Sequence, residues 1–543
     1  MGRRFLLAAV FIGGICTLGI ELSASRLLSP FFGGSQIIWA NVIGLTLIFL
    51  TIGYSVGGRL ADRRPEPHLL YTIMLAAGLF TAIIPLAARP ILAWSTQAFN
   101  SLSAGVFFGS LLGVLVLFSA PLILLGMISP FAIRLSMRDV VNAGRTAGNL
   151  ASLSTLGSII GTFLPVLLLI PLIGTSWTFY CFALGLVLTG ALGLRRRAAW
   201  LAVPAVIALA VVQLGFRGIR EPFDSRYTSL YETESAYNYI QVAKAATGPD
   251  GSEQIGLILN EGQAIHSIYN TRYSESKNPA DLLTNGPWDF FSIAPFVYAD
   301  RNKADVNSLL LIGSAAGTIP KQFLAFFGPE TTIDAVEIDP RIVAVGRQYF
   351  AMEDGQPEAP NYRTHEADGR VYLAQNTARY NVIGMDAYHQ PYIPFHLTTR
   401  EFFAQVQAHL TPDGVAVVNA GKPGTDYRLV HALANTMHAV FPQVYILDVP
   451  SFGNSIIIGV NTPVGDGVAN FRANAERLQA EDPIFASIMQ AAQEGSNRGG
   501  KLPLRAWTDA DVAAARPFTD DWAPVEWVID QLIFRAATSS GGY

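Results

Sequence analysis

The sequence predicts a multi-pass α-helical membrane domain of about seven spans, followed by a small β domain and an α/β domain with a Rossmann-like sheet. Three observations predict this order. Long apolar runs fill residues 1–218 and then stop, the balance of charge reverses at the same point, and from about residue 305 apolar strands alternate with helical segments. Only 14% of the 543 residues are charged and 51% are hydrophobic, which argues against an ordinary soluble enzyme. The expected domains are 1–218, 219–275 and 276–543.

In the first domain, runs of span length lie near residues 5–25, 37–57, 69–89, 103–128, 150–172, 176–194 and 198–216. In lipid each segment must satisfy its own backbone polar groups, so these runs are read as helices. The opening MGRRFLLAAVFIGGICTLGIELSASRLL begins like a signal peptide, but its apolar stretch continues too far and lacks a clear cleavage site, so a retained first span is expected. Arginines cluster at positions 3 and 4, at Arg59, Arg63 and Arg64, at Arg134, Arg138 and Arg145, and at Arg195, Arg196 and Arg197. They mark the N-terminus and every second loop, which places the N-terminus in the cytoplasm of a cell (inner) membrane protein surrounded by lipid bilayer. Seven spans would then put the remainder outside, whereas six or eight would put it inside. Arg217 and Arg220 pull weakly toward the inside.

Gly53/Gly57 and Gly157/Gly161 are small-xxx-small pairs that let helices approach closely. Glu21, near the end of the first span, is a functional candidate, with interfacial snorkelling or an ion pair with Arg26 as the competing readings. Cys16 and Cys181 both lie in apolar runs, so no disulfide framework is expected.

Residues 1–218 hold fourteen arginines and four acids, a net charge of +10, and the rest holds 23 basic and 37 acidic residues, a net of −14. An acidic soluble half excludes nucleic acid as the expected partner; it fits ordinary solubility or a cationic ligand. Between about 225 and 270, SAYNYIQVAKA, the turn TGPDGSEQ and IGLILNEGQAIHSIY read as short strands. Next, SLLLIGSAAG is a strand ending in a small-residue loop, KQFLAFFG a helix, TIDAVEIDP a strand with acids at its end and RIVAVGRQYF a helix. RTHEADGRVYLAQ carries a loop into a helix, YNVIGMDAY is a strand, and TREFFAQVQAHLTPDGVAVVN is a helix, a turn and a strand. Alternation of this kind implies a parallel sheet with ligands at the carboxyl ends of its strands. Gly313 and Gly317 allow close backbone approach, Glu337 is spaced to accept ribose hydroxyls, and Asp368–Gly369 is a further acid–glycine pair. Together they point to an adenosyl ligand.

LLLIGSAAG, AVEIDP, ADGRVYL, YNVIGMDAY and LTTREFF, in that order and spacing, resemble the spermidine synthases, as do ESAYNYIQV, LILNEG and the tail FTDDWAPVEW. The arrangement with spans first is similar to the bacterial membrane-fused spermidine synthase-like proteins. The resemblance implies a methyltransferase-type fold and aminopropyl transfer to a small amine, with decarboxylated S-adenosylmethionine or a related adenosyl compound as co-substrate and no tightly bound cofactor. Carried over by position, Gly313 and Gly317 line the donor site, Glu337 and its neighbour Asp339 hold the ribose end, Asp368 and Gly369 the adenine, and Asp386 is the catalytic acid. Asp289, Tyr388 and His389 fall at the amine site.

The departures are specific. Ala316 stands where the family has an acid that holds the ammonium end of the donor, His389 stands at a second acid, and Asn238 is the nearest match to a glutamine beside the amine. Asp386 read as a helix cap or loop acid, and His396 as structural beside a capping box Thr398-x-x-Glu401, are the bland alternatives. His365, His389 and His396 lack metal-ligand spacing, so no metal site is expected. Two other functions stay open: a non-catalytic binding or assembly module in an oligomer or membrane complex, and a transporter. The latter rests on GYSVGGRLADRRPEP, which resembles a loop of major facilitator transporters.

Overall fold

A computed structural model describes residues 3–32, 36–99, 105–137, 142–214, 227–245, 252–260, 264–388, 393–422, 424–494, 502–512 and 516–538. The chain forms two compact units, one of Met1–Glu221 with Glu232–Tyr239 and Asn260–Gly262, the other of Pro222–Tyr231, Ile240–Leu259 and Gln263–Tyr543.

The first unit is helical: α1 (Arg3–Phe32), α2 (Gln36–Arg63), α3 (Pro67–Phe99), α4 (Gly105–Ser136), α5 (Ala143–Leu164, continued by a π-turn and a short helix to Ile173) and α6 (Thr175–Leu194). These six are long and apolar enough to cross a membrane. The seventh expected run differs. Arg195 takes a left-handed conformation that ends α6, a 3₁₀ turn covers Arg197–Leu201, and α7 (Ala202–Gln213) is only 12 residues long. The end of the run lies outside the described residues.

α1 packs on α5 and α6, α2 on α4, and α3 on α4 and α6. The glycine pairs lie where backbones touch. A Cβ on Gly53 would sit 2.3 Å from the Ile123 carbonyl oxygen, and on Gly157 or Gly161 2.2 Å from those of Phe11 or Ile15. These glycines let the backbones of α1 and α5 meet directly, the close approach that small residues permit between apolar helices. Gly157→Ala is therefore expected to destabilise the bundle by about 1–3 kcal/mol, lowering the melting temperature in detergent. Gly144→Ala, where no atom lies within 4 Å, should leave it unchanged or slightly higher.

Two sheets follow, the smaller of which includes residues Glu232–Glu234 and Tyr239 of the first unit. β1 (Tyr227–Glu234), β2 (Tyr239–Ala245), β3 (Gln254–Leu259) and β4 (Ile265–Asn270) form a four-stranded sheet in chain order, β2, β3 and β4 pairing antiparallel. The larger sheet contains β5 (Ser308–Ile312), β6 (Thr332–Glu337), β7 (Tyr362–Glu366), β8 (Tyr380–Met385), β9 (Leu410–Gly421), β10 (Gln443–Asp448), β11 (Asn454–Val460) and β12 (Arg505–Trp507). Its order is β12-β10-β11-β9-β8-β5-β6-β7; the run from β9 to β7 is parallel, and β11, β10 and β12 join antiparallel. RTHEA, expected as a loop, pairs with β6 as β7, because the sheet supplies a hydrogen-bonding edge that local polarity does not reveal.

All five residues of β5 are buried, as a strand covered on both faces requires. Leu309 and Leu311 face a core containing Phe323 of α8 (Thr318–Phe327), and Leu310 and Ile312 face one containing Phe402 and Phe403 of α11 (Arg400–Ala408). α9 (Pro340–Tyr349) follows β6 and α10 (Gly369–Gln375) follows β7. The chain steps outward from β5 to β6 to β7 and returns with β8 beside β5. That reversal opens a crevice at the carboxyl ends of β5 and β8.

Candidate active site

The crevice is lined first by the turn from β5 to α8. Gly313 has φ 85°, and a Cβ there would lie 2.5 Å from the backbone of Ala387, so only glycine lets β5 and the β8 exit touch. Gly317, at φ 87°, caps α8. Ala315 is a non-glycine at φ 47°, a conformation that costs about 1–3 kcal/mol. Glu337 offsets it: its Oε2 accepts from Ala315 N at 2.9 Å and its Oε1 from Asp339 N at 3.1 Å. Burial pushes the Glu337 carboxyl up to about 7 against the pull of those amides. Asp339 is fully buried and caps α9 through Arg341 N, so its role there is to start a helix.

Asp368 caps α10 through the amides of Arg370 and Val371, and its Oδ2 meets His396 Nε2 at 2.9 Å. Gly369 admits no side chain, since a Cβ would fall 2.2 Å from Ile312 Cγ2. Arg370 forms a two-pronged pair with Asp520 at 2.8 and 2.7 Å and also donates to the His396 carbonyl, tying the C-terminal turn to α10. The expected capping box shifts by one residue. Thr399 caps α11 through Phe402 N, while Glu401 accepts from Asp520 N instead of closing a box.

Asp386 leaves the end of β8, its own amide donating to Ile312 O at 2.8 Å. Its Oδ2 accepts from Trp288 Nε1 at 3.0 Å and its Oδ1 from Asn419 Nδ2 at 2.8 Å. Asn454 Nδ2 donates to Asn419 Oδ1 at 2.9 Å, and the Tyr388 hydroxyl donates to Asn419 O at 2.8 Å. Burial of the Asp386 carboxyl dominates these two donors and lifts it to about 7. Near neutrality such a group can take up or release a proton. Burial holds the Tyr388 phenol well above its usual range, so it stays a neutral donor.

The remaining expected residues fall elsewhere. Asp289 is 4% exposed and accepts from Thr284 N, Thr284 Oγ1, Asn285 N and Gln322 Nε2, which pins its loop to α8. Consecutive residues of the 3₁₀ turn Pro287–Phe290 point about 120° apart, so Trp288 reaches Asp386 while Asp289 turns away. His389 lies outside the described residues. Asn238 belongs to the first unit and accepts from Asn260 Nδ2; the amide beside Asp386 comes from Asn419. Ala316 is buried, its amide donating to Ser267 Oγ. A polar residue closing the apolar run of β9 was the available signal for Asn419, and PWDFF for Trp288.

Residues 302–462 match the spermine/spermidine synthase domain. Over 255 residues the chain is 30% identical to a polyamine aminopropyltransferase of Vibrio vulnificus, covering 46% of this chain and 78% of that one. The chain belongs to the polyamine aminopropyltransferase family. A second relative in that family, a probable polyamine aminopropyl transferase of Bifidobacterium longum, is 29% identical over 320 residues, covering 58% of this chain and 65% of its own length. Among solved structures, a probable spermidine synthase of Corynebacterium glutamicum is 20% identical with a TM-score of 0.40, covering 53% of this chain and 96% of that one. Gly313, Glu337, Asp368, Asp386 and Asn419 all fall inside the segment that matches the family domain.

Proposed function

We propose that this protein is a membrane-anchored aminopropyltransferase that moves the aminopropyl group of decarboxylated S-adenosylmethionine, or a close adenosyl relative, to a small amine. The observation that carries this reading is Asp386, held at the reversal of the sheet by Trp288 and Asn419 with a carboxyl that titrates near 7. In the reaction the amine lone pair attacks the methylene carbon next to sulfur. The carbon–sulfur bond breaks, its electron pair neutralises the sulfonium, and the proton shed by the new ammonium passes to the Asp386 carboxylate. Because the sulfonium is already a good leaving group, alignment and deprotonation of the amine are the main tasks left to the protein. Gly313 and Gly317 let the nucleoside approach the backbone, Glu337 accepts from the ribose, and Asp368, oriented by His396, addresses the adenine.

A second reading, a binding or assembly module, is favoured by Ala316. Where the family acid would meet the cationic end of the donor, this chain has a buried methyl group.

Asn419→Leu distinguishes the two. Removing a donor to the ionised carboxylate disfavours that form, so the Asp386 pKa rises and the ascending limb of the kcat/KM profile should move up by about one pH unit. An unmoved limb would separate Asp386 from the titration that controls turnover.

A further inference from the structure

Most of the described arginines of the first unit gather at one end of the bundle, Arg26 in α1 and Arg89 in α3 being the exceptions. Arg59 and Arg63 close α2, Arg134 closes α4, Arg145 opens α5, and Arg195, Arg196 and Arg197 follow α6. The C-terminal end of α1 and the α5–α6 junction at Gly174 therefore make up the opposite, non-cytoplasmic end.

Two contacts within this unit seat residues 234–238 at that opposite end. Gly174, at φ 81°, breaks the helix, and the next amide, Thr175 N, donates to Glu234 Oε2 at 2.5 Å. Thr175 is the first residue of α6, so this amide has no partner within its own helix, and a carboxylate complements the positive end of the helix dipole. Independently, Arg26 near the end of α1 donates to the carbonyls of Ser235, Tyr237 and Asn238, the last two at 3.0 and 3.4 Å. An arginine on the side that the charge rule disfavours thus has its guanidinium engaged by a turn.

The path of the chain agrees. α6 runs toward the arginine end, and α7 packs back along it: Ala202 and Val206 lie against Ala183 and Val187, and the Tyr180 hydroxyl donates to Leu209 O at 3.2 Å. By Leu209 the chain is level with the sixth residue of α6. With 3₁₀ and α rises of about 2.0 and 1.5 Å per residue, Arg197–Gln213 spans roughly 28 Å, close to the hydrocarbon thickness.

We infer that Arg197–Gln213 is a seventh crossing, and that residues 234–238 and the soluble chain beyond them lie on the non-cytoplasmic face. Among the described residues, no later helix is long and apolar enough to carry the chain back. Under the proposed transfer, the sulfonium donor and the amine must both be delivered to, or formed on, that face.

The test is thiol labelling of the full chain with a membrane-impermeant maleimide, in right-side-out spheroplasts and in inverted vesicles. Tyr237→Cys and Glu358→Cys, both at exposed positions, should label in spheroplasts and stay unlabelled in inverted vesicles, and Arg64→Cys should do the reverse. The unsubstituted chain, with Cys16 and Cys181, gives the blank. Labelling of Tyr237→Cys or Glu358→Cys on the same side as Arg64→Cys would overturn the inference. Labelling does not depend on turnover, so this outcome and the fate of the transfer reaction are read separately.

Discussion

Asp386→Asn is expected to lower turnover by about 10²- to 10⁴-fold, the usual contribution of a positioned general base, while nucleoside binding survives. Asparagine preserves the size of the side chain and can still accept from Trp288 Nε1, but it cannot take a proton from the amine. The wild-type profile should rise as pH passes through about 7, since the carboxylate form is the competent one. Stability has the opposite slope. A carboxyl whose folded pKa is raised from 3.8 to about 7 binds more protons folded than unfolded, so its contribution is fully present below about pH 4 and is lost as pH rises through 7. Asp386→Asn removes that loss, so its melting temperature at pH 8 should equal or exceed that of the wild type. A thermal melt beside the rate assay checks both effects, and a variant that is inactive because it is unfolded would fail the melt.

Glu337→Ala is expected to weaken nucleoside binding by about tenfold to a hundredfold, the scale of losing hydrogen bonds to a charged group. The side chain fixes the strained Ala315 through its amide and also faces the position assigned to the ribose, so its loss loosens the loop and removes an acceptor. Calorimetric titration of the detergent-purified full chain with methylthioadenosine and with decarboxylated S-adenosylmethionine reads the effect. An unchanged affinity would move the nucleoside away from the β5–β6 crevice.

Much of the architecture was legible because it rests on periodicity. Apolar runs of span length became α1 through α6, and alternating strands and helices became the parallel sheet. The glycine pairs were also legible, because two glycines at that spacing on one helix face let a neighbouring backbone approach closely. The seventh run was harder, since a helix that starts after three arginines and a 3₁₀ turn is shorter than its apolar stretch. In the site, acids at strand ends could be named, but which neighbour reaches the crevice could not. The rotation of one short turn decides between Asp289 and Trp288, and Asp289 is engaged by its own loop and by Gln322 of α8. Asn419 and Asp520 escaped for another reason. Each acts across a distance in sequence, 33 residues to Asp386 and 150 to Arg370, that only the folded sheet closes.

Aminopropyl transfer is read by methylthioadenosine release from decarboxylated S-adenosylmethionine by the purified full chain, with and without a small diamine. Release that depends on the diamine, saturates with it and disappears in Asp386→Asn is the predicted result. A folded, nucleoside-binding protein that releases nothing with any small amine, or an Asp386→Asn variant that turns over like the wild type, would contradict the account.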